Sequence, residues 1–131
     1  MVYRFVPRVV GALLVCLAVF VAGCSSGGSD RDVPDWARGL ATVRADRLPA
    51  EARQTLRLID DGGPFPYPKD GTVFGNYERE LPKRKRGYYH EYTVRTPGER
   101  DRGARRIVTG GHDEVYYTDD HYASFKAVLR Q

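Results

Sequence analysis

Residues 87–108 read GYYHEYTVRTPGERDRGARRIV, and the fold class turns on this stretch. Tyr88 to Val94 is a run of aromatic and β-branched residues, the types that suit a pleated, half-buried surface. Pro97-Gly98 interrupts it, Gly103 closes the interruption, and Ala104 to Thr109 resumes the same character. The pattern predicts two strands joined by a hairpin-like return. Alternation then places Tyr89, Glu91 and Thr93 on one face and Tyr88, His90, Tyr92 and Val94 on the other. In the return strand, Arg106 and Val108 point opposite to Arg105, Ile107 and Thr109. A single carboxylate among tyrosines, with arginines brought back towards it, is the feature that a functional reading must explain.

Working outward, Val115 to Thr118 and Tyr122 to Leu129 carry further strand signals, and Asp70-Gly71 makes a turn before Thr72-Val73-Phe74. Leu48-Pro49-Ala50-Glu51 opens a helix, with proline and an acid in the first turn. Ala52, Leu56 and Ile59 form its apolar face, and Asp60-Asp61-Gly62-Gly63-Pro64 ends it. Pro64-Phe65-Pro66-Tyr67-Pro68 is restricted to extended backbone. One helix followed by strands on short loops predicts an α+β fold: an N-terminal helix packed on a single twisted antiparallel β-sheet, whose other face is free for a ligand.

The chain has 131 residues, enough for one domain after a targeting segment. Arg4 and Arg8 precede an apolar run from Val9 to Ala22, which is shorter than the roughly 20 residues of a membrane-spanning helix. Residues 1–23 therefore read as a signal peptide. Val21-Ala22-Gly23-Cys24 resembles a bacterial lipobox, with Cys24 the expected lipidation site and first mature residue. Residues 24–43, beginning Cys-Ser-Ser-Gly-Gly-Ser-Asp, are expected to be a flexible tether, with the composition changing from about Val33 or Arg44 onward. Residues 44–131 are assigned to the folded domain. Cys16 lies inside the apolar run, so the domain is expected to have no disulfide.

Without Arg4 and Arg8 the 21 basic residues fall to 19 against 17 acidic ones. Their placement matters more than the balance. Lys83 to Arg106 holds nine basic residues against Glu91, Glu99 and Asp101, a cationic field suited to a polyanion. Three histidines without cysteine partners or ligand spacing predict no metal site. His90 and His112 are read as structural.

Pro64-Phe65-Pro66-Tyr67, Asp70 to Phe74, Gly87 to Val94, Thr96-Pro97-Gly98, Arg102 to Ile107 and Tyr116 to Tyr122 occur in one order. Together they closely resemble the guanyl-specific extracellular ribonucleases of streptomycetes, within the wider barnase-like family. The resemblance implies an extracytoplasmic endoribonuclease that cuts single-stranded RNA 3′ to guanosine through a 2′,3′-cyclic phosphate. It implies Glu91 as general base, His121 as general acid, Arg102 and Arg106 as phosphate-holding groups, and Tyr122 beside the phosphate. Phe74, Asn76 and Glu78 fall in the family's guanine loop, with Glu78 accepting from the base and backbone amides near Asn76 reading O6. No cofactor is implied. A monomer, a lipid anchor to the outer membrane face or secretion, and an acidic barstar-like protein inhibitor complete the expectation.

The chain departs from that pattern in three places. Gly75 and Tyr77 stand where relatives commonly have a polar residue and an arginine, and tyrosine supplies no guanidinium. Arg44 stands at the first position of a cysteine pair that joins the two ends of the domain in streptomycete relatives. Lys83-Arg84-Lys85-Arg86 is a local basic run. The alternative reading is a non-catalytic basic lipoprotein that keeps the ribonuclease fold and binds RNA or protein.

Overall fold

The computed structural model describes residues 33–130. The expected signal peptide, the lipobox with Cys24 and the first part of the expected tether lie outside these residues. Helix α1 spans Ala50–Asp61. The strands are β1 (Ala41–Arg44), β2 (Thr72–Val73), β3 (His90–Thr93), β4 (Arg106–Thr109), β5 (Val115–Thr118) and β6 (Lys126–Leu129). They form one six-stranded sheet in the order β1-β6-β5-β4-β3-β2.

The helix begins after Pro49, whose carbonyl accepts from the amides of Ala52 and Arg53 at 3.0 Å each. It ends where Gly62 takes φ 80°, a left-handed cap that a residue without Cβ adopts without strain. Ala52 and Leu56 are buried as the periodicity predicts, with Ile59 partly buried. They join Leu48, Val94, Ile107, Val115, Tyr117 and Val128 in the core between helix and sheet.

Four strand pairs are antiparallel or hairpin-like as expected from the sequence, but β1 pairs with β6 in parallel, Ala41 opposite Lys126 and Arg44 opposite Leu129. The first three residues of β1, Ala41, Thr42 and Val43, lie within the stretch read as tether, and the compact unit already begins at Pro34. Ala-Thr-Val-Arg has too little apolar content to stand out as a strand, and only the edge of β6 recruits it. This pairing sets the N-terminal strand of the domain, ending at Arg44, beside its C-terminal strand.

The predicted strands also shorten. Tyr88 and Tyr89 precede β3, and residues 122–125 precede β6, because His121 and Tyr122 have φ of 57° and 75° and cannot continue a ladder.

Register settles which face carries what. Glu91 pairs with Val108 and Val108 with Tyr116, while Thr93 pairs with Arg106 and Arg106 with Thr118. These residues face away from the helix. Thr93 is central to the junction: Val94 N–H bonds to Arg105, so Thr93's own backbone groups point away from β4. Asp70 Oδ1 accepts the Thr93 amide at 2.7 Å, and Thr55 Oγ1 donates to the Thr93 carbonyl at 3.0 Å. Thr55→Val removes the hydroxyl that ties α1 to β3, and is expected to lower stability by about 1–3 kcal/mol. Thr55→Ser should recover most of it, as read from urea-unfolding midpoints.

Candidate active site

Glu91 lies mid-strand, with Thr72 of β2 on one side and Val108 of β4 on the other. Its carbonyl accepts the Gly71 amide at 2.7 Å on the β2 side, and its side chain is 15% exposed. Arg102 Nη2 donates to Glu91 Oε1 at 2.6 Å, and the Tyr122 hydroxyl donates to the same oxygen at 3.0 Å. Arg106 Nε stands 3.8 Å from it.

The two arginines are held differently. Arg102 Nε donates to Thr93 Oγ1 at 3.0 Å, on the face that Thr93 shares with Glu91. Arg106 is 2% exposed, and a guanidinium so buried requires acceptors around it. Nη1 donates to the carbonyls of Gly103 at 3.0 Å and Arg105 at 2.8 Å, and Nε to the Tyr122 hydroxyl at 3.0 Å. No acceptor among the described residues engages Nη2. Gly103 has φ 69°, and a Cβ there would sit 2.6 Å from Thr96 Oγ1, so the loop that turns its carbonyl to Arg106 needs glycine.

His121 and Tyr122 stand on the turn between β5 and β6. Asp120 organises it, accepting from Ser124 Oγ at 2.5 Å, Thr118 Oγ1 at 2.7 Å and the Ser124 amide at 2.9 Å. His121 N–H bonds to the Ala104 carbonyl at 3.0 Å, which ties the turn to the arginine loop. The imidazole is exposed, its centroid 4.8 Å from that of the Tyr122 ring. Tyr122 thus lies between His121 and Glu91. Burial, then the Glu91 charge, raises the Tyr122 pKa above the usual phenol value, so the hydroxyl stays a donor.

Phe74 forms the floor beside Tyr122, with centroids 4.9 Å apart, and packs edge-on to Tyr89 and Phe125 at 6.4 and 5.8 Å. Asn76 has φ 54° and spends its side chain on loop closure. Nδ2 donates to the Leu81 carbonyl at 2.9 Å and Oδ1 accepts the Leu81 amide at 3.1 Å. Glu78 is exposed and makes no hydrogen bond or ion pair among the described residues. His90 Nδ1 lies 2.9 Å from the Gly71 carbonyl, and His112 is exposed in a loop.

Glu91, Arg102, Arg106, His121 and Tyr122 therefore come together, with Phe74 against Tyr122 and Asn76 shaping the adjoining loop. Sequence reading missed Thr93, Gly103, Thr118 and Asp120 as positioning residues. Alternation did place Thr93 beside Glu91, but its grip on Arg102 depends on how a distant loop folds. Among the described residues no group of three or more His, Cys, Asp or Glu side chains could hold a metal ion.

An arginine-clamped carboxylate and an exposed histidine thus flank one tyrosine on the sheet face away from the helix, groups whose chemistry lets them take and give protons. A family model for ribonuclease matches residues 32–129. Guanyl-specific ribonuclease St of Saccharopolyspora erythraea is 56% identical over 91 residues, covering 70% of this chain and 90% of that protein. Guanyl-specific ribonuclease Sa of Kitasatospora aureofaciens is 58% identical over 88 residues, covering 66% and 92% respectively. The crystal structure of ribonuclease Sa2 with guanosine-2′-cyclophosphate superposes with a TM-score of 0.67 at 53% identity, over 70% of this chain and 98% of that one. The chain belongs to the ribonuclease family.

The turn that carries His121 has its own pH signature. Hydrogen bonds from Ser124 and Thr118 lower the Asp120 pKa from 3.8 to about 2. A depressed carboxylate stabilises the fold fully above its unfolded pKa and ceases to do so as pH falls through the folded one. The difference in melting temperature between the protein and Asp120→Asn should be full above pH 3.8 and close as pH falls to about 2. Asp120 is exposed, so solvent screening keeps the difference small.

Proposed function

We propose that the protein is a guanyl-specific endoribonuclease that cleaves single-stranded RNA by general acid–base catalysis. The observation that carries this is the convergence of Arg102 and Tyr122 on one oxygen of Glu91, with Arg106 buried behind them. The identity to guanyl-specific ribonucleases and the likeness to a guanosine-cyclophosphate complex support it.

In the first step Glu91 takes the proton of the ribose 2′-OH, and the 2′-oxygen attacks the adjacent phosphorus. The bond to the 5′-oxygen breaks as His121 delivers a proton to that oxygen, leaving a 2′,3′-cyclic phosphate. In the second step His121 takes a proton from water as the water oxygen attacks phosphorus, the bond from phosphorus to the 2′-oxygen breaks as Glu91 returns a proton to that oxygen, and a 3′-phosphate forms. Negative charge grows on the phosphoryl oxygens in both steps. Arg106, with Nη2 free, and Arg102 supply prearranged donors to that charge. Before substrate binds, Arg102 is paired to Glu91; a phosphate that draws this guanidinium away also releases the carboxylate for proton transfer.

DNA lacks the nucleophile, so selectivity for RNA is chemical. Glu78, exposed and unpaired on the guanine loop, is placed to accept from guanine N1–H and its amino group. Glu91→Gln and His121→Ala should each lower kcat on GpN dinucleotides by roughly 10²–10⁴-fold with the fold intact. Undetectable GpN cleavage by the unmutated protein would refute the reading, and equal rates on GpN and ApN would remove its guanine part.

The leader sequence supports an extracytoplasmic enzyme, lipid-anchored through Cys24. Cys24→Ala is expected to move the protein from the membrane fraction to the medium, and mass spectrometry of the mature N-terminus should find an acylated Cys24 in the unmutated protein. An unmodified N-terminus would leave a secreted enzyme.

A further inference from the structure

Four consecutive cations, Lys83, Arg84, Lys85 and Arg86, are exposed and take no part in the chemistry at Glu91. Among the described residues none of them has a carboxylate partner. The acids around them leave an excess of positive charge. From Glu78 to Arg86 the chain holds five basic residues against Glu78 and Glu80, and Asp113 is the exposed acid of the neighbouring turn. Glu114 of that turn is buried, its carboxylate accepting from the hydroxyls of Tyr88 and Tyr116, the latter at 2.7 Å.

The basic run is fixed in place. The Tyr88 amide donates to the Lys85 carbonyl at 3.0 Å, the Tyr89 hydroxyl to the Pro82 carbonyl at 2.5 Å, and Arg86 Nη1 to the Tyr77 hydroxyl at 3.3 Å. Arg84 lies over the Tyr88 ring, its guanidinium carbon 5.3 Å from the centroid. Tyr88 in turn packs on the turn between β4 and β5, where a Cβ at Gly111 would sit 3.1 Å from its hydroxyl.

That turn locates the run in the molecule. His90 of β3, Thr109 of β4 and Val115 of β5 lie in register at this end of the sheet. The chain also enters the folded unit here: Pro34 and Trp36 share one cleft with Asp113, Leu129 and Arg130, and Trp36 meets the Tyr116 ring edge-on, with centroids 5.4 Å apart. The basic run and the start of the folded unit thus flank the same turn. Arg106, Thr118 and Lys126 mark the other end of the sheet, where the His121 N–H bonds to the Ala104 carbonyl.

Cys24 and Pro34 are ten residues apart, so no conformation carries Pro34 more than about 36 Å from Cys24. Among the described residues no helix is long and apolar enough to cross a membrane, so contact with lipid has to be made by the surface. Lysines and arginines beside an anionic bilayer are drawn to its headgroups.

We propose that this end of the domain is a membrane-facing surface, on which Lys83, Arg84, Lys85 and Arg86 meet the headgroups of anionic phospholipids while His121, at the other end of the sheet, stays open to RNA. The inference rests on the anchor at Cys24 proposed above for bringing the domain to lipid, and not on the catalytic reading. It gives a tethered enzyme a fixed orientation, with its site turned away from the bilayer.

The test first measures the protein surface without the anchor. Residues 25–131 hold the whole compact unit and no cysteine, and should co-sediment with vesicles of equal parts phosphatidylglycerol and phosphatidylcholine but not with phosphatidylcholine alone. Binding should fall as salt rises. Lys83→Gln/Lys85→Gln should weaken it about tenfold, whereas Arg95→Gln/Lys126→Gln, the same charge change on exposed residues at the other end of the sheet, should alter it by less than about twofold. In the full chain anchored on the mixed vesicles, an amine-reactive reagent should label Lys83 and Lys85 more slowly than Lys126, and kcat/KM on GpN should be unchanged by the vesicles.

Equal losses from the two double variants, equal labelling of the three lysines, or loss of GpN cleavage on vesicles would overturn the proposal. So would a Lys83→Gln/Lys85→Gln protein that keeps its vesicle binding and loses affinity for a 2′-deoxy oligonucleotide, which would assign the run to nucleic acid. Charge-dependent vesicle binding by a chain found unacylated at Cys24, or inactive on GpN, supports the surface and counts against the anchor or the catalytic reading alone.

Discussion

The structure is organised around a charge that has to live inside it. Arg106 opens β4 with almost no exposed surface, and a buried guanidinium without acceptors would cost several kcal/mol. Three separate segments supply them. The loop before β4 turns in the carbonyls of Gly103 and Arg105, the turn after β5 brings the Tyr122 hydroxyl, and β3 sets Glu91 within 3.8 Å. The positive φ at Gly103, His121 and Tyr122 follows from this demand, since each bends the chain so that a polar group reaches the guanidinium or its neighbours.

That arrangement gives the site its rigidity. Helix α1 covers one face of the sheet and packs with Val94, Ile107, Val115 and Tyr117, while the opposite face carries Glu91, Thr93 and Arg106 together with buried Val108 and Tyr116. Below the polar groups, Tyr89, Tyr116 and Phe125 pack edge-on to one another and to Phe74, each pair adding about 0.5–1.5 kcal/mol beyond its buried area. The polar groups above this floor are therefore held in place by packing as well as by hydrogen bonds. Thr93 links the two faces, with its backbone held by Asp70 and Thr55 and its hydroxyl holding Arg102.

Much of this was legible in the linear chain. Alternation in β3 put Glu91 and Thr93 on one face, register then set Arg106 opposite Thr93, and the spacing of Ala52, Leu56 and Ile59 located the helix and its buried side. Local signals failed where the cause was distant. Strand β1 is a short, mostly exposed segment that exists because β6 offers a free edge, so composition alone placed it in the tether. Tyr122 carries strand propensity, yet its left-handed backbone is dictated by the hydrogen bonds of Asp120 and the contact with Arg106. Asn76 was read as part of the base-reading loop, and its side chain proves to be the clamp that shapes that loop.

By itself the sequence determined the fold class, the helix and the hairpin of β3 and β4, because these follow from periodicity and turn residues over short windows, whereas the candidate site residues stood out only through motifs in the order of a known family. Only the tertiary structure decided which of those residues share an oxygen, which loop orders the basic run beside Tyr77, and where the domain begins. The reason is physical: a buried charge and an open sheet edge each take partners from wherever the folded chain brings them, and no local window of sequence contains both ends of such a contact.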